Sequence, residues 1–80
     1  MAQKTHRPLY EIAAEIRQDW KPIHKFAREY VGAMQTLNSI DDMFMNDPAR
    51  EVVGRFLSNA STWRGETARR IKKELNAMLK

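Results

Sequence analysis

From Leu9 onward the apolar positions recur at helical spacing. Leu9, Ile12, Ala13, Ile16 and Trp20 form one stripe, with Glu11, Glu15, Arg17, Gln18 and Asp19 on the other faces. This predicts an amphipathic helix opened by Pro8, whose missing N–H is harmless in a first turn. Pro22 interrupts the pattern and disfavours helical backbone at Lys21, so a second helix is expected from Pro22 to about Asn38. Its stripe is Ile23, Phe26, Ala27, Tyr30, Met34 and Leu37, and Gly32 within it implies close approach of a neighbouring helix.

Residues 39–47 read as the main connection. Ser39 followed by Asp42 suits a capped turn, and Met43-Phe44-Met45 reads as an apolar plug over one end of the core. Asp47-Pro48 then signals a helix start, with a capping carboxylate before proline at the first helical position. Beyond it, Val53, Phe56, Leu57, Ala60, Trp63, Thr67, Ile71, Leu75 and Met78 keep one helical phase. That favours a single helix of about thirty residues, spanning about 45 Å. The competing reading breaks the chain at Ser58-Asn59-Ala60-Ser61. Either way the expected fold is all-α: a small three-helix bundle with a short fourth turn and a long C-terminal helix, the alternative break falling near residues 58–62.

Eighty residues make one domain, 1–80, with residues 1–7 expected as a frayed tail. Three Gly, three Pro and a 42% hydrophobic fraction argue for a folded chain. Without cysteine there is no disulfide framework and no thiolate zinc site. The opening MAQKTHR lacks the apolar core of a signal peptide, and no apolar run approaches a membrane span, so a cytoplasmic location is expected. The Asn59-Ala60-Ser61 sequon has no consequence in that compartment.

Charge changes the picture most. The first sixty residues carry eight Lys/Arg and eight Asp/Glu, whereas Ser61–Lys80 holds six basic residues against Glu66 and Glu74. The whole net charge of +4 therefore lies in the terminal helix. Arg64, Arg69, Arg70, Lys72 and Lys73 are the candidate residues for binding nucleic acid or an acidic partner, since phosphate binding draws on several cations sharing a face. The bland reading is a solvated face, in which Glu66–Arg70 and Arg70–Glu74 form i,i+4 pairs. In Trp63-Arg64-Gly65-Glu66, Trp63 reads first as a core anchor, and Gly65 inside a helix calls for close packing or a partner's approach. Trp63, Gly65 and Glu66 are accordingly interface candidates. A break at 59–61 would turn residues 48–79 into helix, turn, helix, with Thr62, Arg64, Glu66 and Arg69 on the leading turns of a groove-reading helix. An ordinary helical hairpin is the commoner outcome.

Nothing points to catalysis. His6 and His24 are far apart, no metalloprotease, phosphate-loop or nucleophile motif is present, and Asp41, Asp42 and Asp47 lack calcium-loop spacing. No catalytic residue, cofactor, metal or small-molecule substrate is expected.

The stretch LSNASTWRGETARRIKKELNAML, together with the opening LYEIAAEIRQDWK, resembles a group of small, uncharacterised helical proteins encoded by bacterial phages and plasmids. The resemblance covers Leu9 to Leu79 and departs at Met43-Phe44-Met45, where such sequences have a shorter, more polar middle. It implies a mobile-element accessory protein in the bacterial host cytosol, and it carries over no site residues. Such proteins typically occupy a surface on a larger macromolecule. The resulting expectation is a non-enzymatic protein whose basic helix engages nucleic acid or an acidic, nucleic-acid-handling partner, as an inhibitor or regulator. The alternative is a homo-oligomeric helical module in which Trp63, Ile71, Leu75 and Met78 form a dimer interface and the basic side is only solvated. Membrane-surface binding is disfavoured because the core needs the helix's apolar side.

Overall fold

Pro8 sets the first boundary: extended at φ −59°, ψ 143°, it precedes α1 (Leu9–Asp19), which buries Leu9, Ile12, Ala13 and Ile16 as the stripe requires. The computed structural model describes residues 6–80. The remaining elements are α2 (Lys25–Met34), β1 (Met43–Phe44), β2 (Asp47–Pro48), α3 (Ala49–Ser58) and α4 (Glu66–Leu79). The protein is thus mainly helical, but with four helices and a tiny hairpin rather than three helices and a turn. Each helix packs on its neighbours in sequence, and α4 returns to pack on α1. The molecule measures 38 × 29 × 19 Å.

The single long helix is overturned. At the end of α3, Ser58 Oγ donates to the Gly54 carbonyl, while both the backbone N–H and the side-chain amide of Asn59 bond to the Arg55 carbonyl. Such local side-chain bonds compete with the helical ladder. Residues 59–65 then form a connection that ends at Gly65 (φ 112°), a conformation L-residues rarely adopt. The helical phase across the break is real yet misleading. Ala60 and Trp63 are buried from within the connection, so the apolar spacing continues where the helix does not. Gly65 serves this backbone conformation, not close packing: nothing lies within 4 Å of where its Cβ would be. The same open space surrounds Gly32, so no helix approaches there either.

α2 is shorter and rotated relative to expectation. Pro22 lies in the connection (its bond to Lys21 is cis), Ile23 turns into the core, and the helix begins only after His24, whose carbonyl accepts from Ala27 and Arg28. The buried face is Ala27, Val31, Ala33 and Met34. Phe26 falls off that face and is 60% exposed, lying against His24 and under the Lys25 ammonium. Leu37 is buried beyond the helix end, where the Leu37 and Asn38 carbonyls accept from Tyr10 and Leu9.

In the 35–48 connection, Asp42 Oδ2 accepts from the Asn38 and Ser39 amides, and Ser39 Oγ accepts from Asp41 N, which is the capped turn expected there. These amides hold the Asp42 carboxyl below its ordinary pKa, Ser39 contributing most. The hairpin pairs Met43 with Pro48 and Phe44 with Asp47 around Met45-Asn46. Asp47 therefore does not cap α3; Pro48 occupies the position before Ala49. Of the expected plug, only Phe44 packs on the core, and Met43 and Met45 are exposed. Alternation within the hairpin separates adjacent side chains onto opposite sides.

The core is entirely apolar: among the described residues no polar or charged side chain is buried. At one end Trp20, Phe56 and Trp63 form an aromatic cluster. The two indoles stack at 5.5 Å with planes 5° apart, and Phe56 meets each edge-on at 6.3 and 6.2 Å. Each such pair contributes about 0.5–1.5 kcal/mol beyond its burial. Trp20 is half-buried, not fully enclosed. The stack brings the 20–24 and 59–65 connections to the same end of the bundle. The 35–48 connection lies with the start of α1 at the other.

Candidate nucleic-acid interface

The outward side of α4 follows from its buried side. With Ala68, Ile71, Leu75 and Met78 in the core, Glu66, Arg69, Arg70, Lys73, Asn76 and Lys80 face out. The five basic candidates divide into two sets.

Arg70 and Lys72 are engaged. Arg70 pairs with Glu15 of α1. Glu15 also receives Arg7 at 3.0 Å, and Arg7 forks onto Glu74 through Nε and Nη2 at 2.9 and 2.8 Å. The alternating chain Glu74–Arg7–Glu15–Arg70 ties the N-terminal segment and α1 to α4. Its bonds, led by that to Glu74, raise the Arg7 pKa, and the bond from Arg70 leads those that lower Glu15. This network replaces the i,i+4 pairs expected along α4, because a forked contact between half-buried groups is better placed than an exposed pair along one helix. It also draws Arg7 out of the expected frayed tail; residues 1–5 lie outside the described residues. Nothing in the sequence spacing signals the Arg7 contact, which spans 67 positions.

Lys72 Nζ donates to the Trp63 carbonyl at 2.7 Å. Desolvation, and then the nearby Arg64 charge, lower its pKa.

Arg64, Arg69 and Lys73 form the second set. All three are exposed, and none has an acidic partner among the described residues. Trp63, Arg64, Gly65, Ala68, Arg69 and Lys72 line an open cleft of about 300 Å³ at the start of α4. The helix enters this cleft with no side-chain cap. Its first-turn amides and positive dipole end add to Arg64 and Arg69, whereas Lys73 lines a separate pocket with Arg50, Asn76 and Lys80.

The interface candidates separate in the same way. Trp63 is 2% exposed, and its Nε1 donates to Asp19 Oδ2 at 2.8 Å, so the indole is a core anchor. Gly65 lines the cleft and is exposed, and Glu66, the first residue of α4, is exposed beside it. Ile71, Leu75 and Met78, with Trp63 the proposed dimer face, are all covered within the chain. The seven-residue connection exceeds the three or four residues of a DNA-reading helix-turn-helix, so α3 and α4 depart from that motif.

His6 and His24 are both exposed, and His24 contacts Phe26. No group of three or more His, Asp or Glu with metal-holding geometry occurs among the described residues, and no helix among them is long and apolar enough to cross a membrane. No protein-family model, curated protein or solved structure matches the chain.

Proposed function

We propose that this protein is a non-enzymatic nucleic-acid-binding protein of the mobile-element type, gripping a phosphate backbone with the start of α4. The observation that carries the reading is the pair Arg64 and Arg69, exposed and without an ion-pair partner among the described residues, beside an uncapped helix N-terminus, with Lys73 further along the exposed side of α4. A phosphate there meets backbone amides, a favourable dipole and guanidinium forks together.

The test is a salt titration of binding to duplex and single-stranded DNA and RNA. Three phosphate contacts on a duplex give a log–log slope of about −2.7, or about 40-fold weaker binding between 50 and 200 mM salt. Replacing Arg64, Arg69 and Lys73 by Gln should remove that contribution to the slope while leaving the melting temperature in place. Absence of binding at low salt, or unchanged binding by the triple variant, refutes the reading. Affinity for an acidic protein in place of nucleic acid would reassign the partner.

A further inference from the structure

The sequence tally treats the first sixty residues as neutral, but the fold sorts their charges. Arg17 near the end of α1, Lys21 in the connection and Arg28 in α2 line one cleft of about 240 Å³, walled by Trp20, Pro22 and Ile23. None of the three has an acidic partner among the described residues. Arg17 donates its Nε to Gln35, and Arg28 one Nη2 to the Ile23 carbonyl, so each keeps further N–H donors free. Trp20 of this cleft and Trp63 of the α4 cleft are the two members of the stacked indole pair. Two cation-lined clefts are thus set around one aromatic pair at a single end of the bundle. The acids nearest that end are Asp19, which accepts the Trp63 indole N–H and keeps its charge, and Glu66 at the first position of α4; neither forms an ion pair with the cations of either cleft among the described residues. Asp41, Asp42 and Asp47 belong to the 35–48 connection, at the opposite end.

Like charges gathered in excess of the acids around them repel one another, and an anion relieves that repulsion. We infer that the α1–α2 cleft of Arg17, Lys21 and Arg28 is a second phosphate-binding site, so that a nucleic-acid backbone spans both clefts across the Trp20–Trp63 end of the molecule. The inference rests on the nucleic-acid reading above and enlarges its footprint from one helix to a pole of the fold. Ligand contact beside both indoles also makes tryptophan fluorescence a direct report of occupancy.

The experiment compares the wild type, Arg17→Gln/Lys21→Gln/Arg28→Gln, and Arg64→Gln/Arg69→Gln/Lys73→Gln, each binding a labelled oligonucleotide across 50–200 mM salt. Circular dichroism melting checks each fold, and Lys21→Gln alone guards against damage from the lost Arg17 and Arg28 bonds. Six contacts on a duplex give the wild type a slope of about −5.4, close to 2,000-fold over this range. Each triple variant should halve that slope, Lys21→Gln should reduce it by about one contact, and Arg17→Lys/Arg28→Lys should preserve it. If only the α4 variant weakens binding, the second cleft is refuted and the α4 reading stands. If the wild type binds no oligonucleotide, or binds polyglutamate equally well, both fail.

Discussion

Replacing each glycine by alanine gives a sign test of the break between α3 and α4. Gly32 and Gly54 lie inside helices, and a Cβ at either would meet nothing within 4 Å. Alanine there should stabilise the protein by about 0.8–1 kcal/mol each, the difference in helix propensity. For a domain of this size that raises the melting temperature by about 4–8 °C. Gly65 has the same open surroundings but sits at φ 112°, ψ 179°. Holding an L-residue there costs about 1–3 kcal/mol, offset by about 0.4–1 kcal/mol from the less flexible unfolded chain. The net loss of about 1–2 kcal/mol should lower the melting temperature by about 4–16 °C. Urea and thermal unfolding of the three variants, with unchanged m-values, provide the measurement. Steric differences cannot produce the opposite signs, because all three sites are equally empty. A Gly65→Ala variant as stabilised as the other two would refute the break, since alanine would be favourable at residue 65 only inside a continuous helix.

Acid should destabilise the protein through Glu15 and Asp42. Both have folded pKa values lowered relative to the unfolded chain, so their contribution is complete above the ordinary carboxylate range, about pH 4, and is lost as pH falls through the folded values. Glu15→Gln should flatten the fall in urea midpoint between pH 5 and 2.5, and an unchanged profile would refute a role for the Arg7–Glu15–Arg70 network. Trp63→Phe should cost about 1–2 kcal/mol through loss of the Asp19 hydrogen bond and the indole stack, whereas Phe26→Ala, at an exposed site, should stay within about 0.5 kcal/mol. Chemical denaturation of both variants checks the contrast, and equal effects would show that the aromatic cluster is not the anchor.

Much of the fold is legible in the apolar spacing. The α1 stripe, and the α4 stripe of Ile71, Leu75 and Met78, are buried as the spacing requires. The break at 59–65 is legible at Ser58-Asn59-Ala60-Ser61 only as the competing reading, because periodicity reports which side chains face the core and not whether the backbone between them is helical. Ala60 and Trp63 meet the core from a loop at positions a helix would also have used. Gly65, which the helical reading assigns to close packing, in fact marks the end of the break through its positive φ. For α2 the pattern admits two faces about one residue apart, and packing chose Val31 over Phe26. The basic character of α4 is visible in the tally, but which cations are free is not. Arg70 is engaged by a residue of α1 and Lys72 by a loop carbonyl, both matters of tertiary geometry. The α1–α2 cleft is hidden for a related reason: its three cations are spread over two helices and the connection between them, and only the fold draws them to one cleft.

The return of α4 onto α1 also constrains how the chain matures during synthesis. α1 is made first and α4 last, yet each covers part of the other's apolar stripe. At about 5–20 residues per second, the ribosome needs about 2–10 s to pass from the end of α1 to the start of α4. Throughout that interval, Ile71, Leu75 and Met78 are not yet there to complete the core. The domain therefore cannot be finished helix by helix as it emerges. Its final closure waits for the same segment that carries the basic cleft, so the cation surface is assembled only once the core is complete.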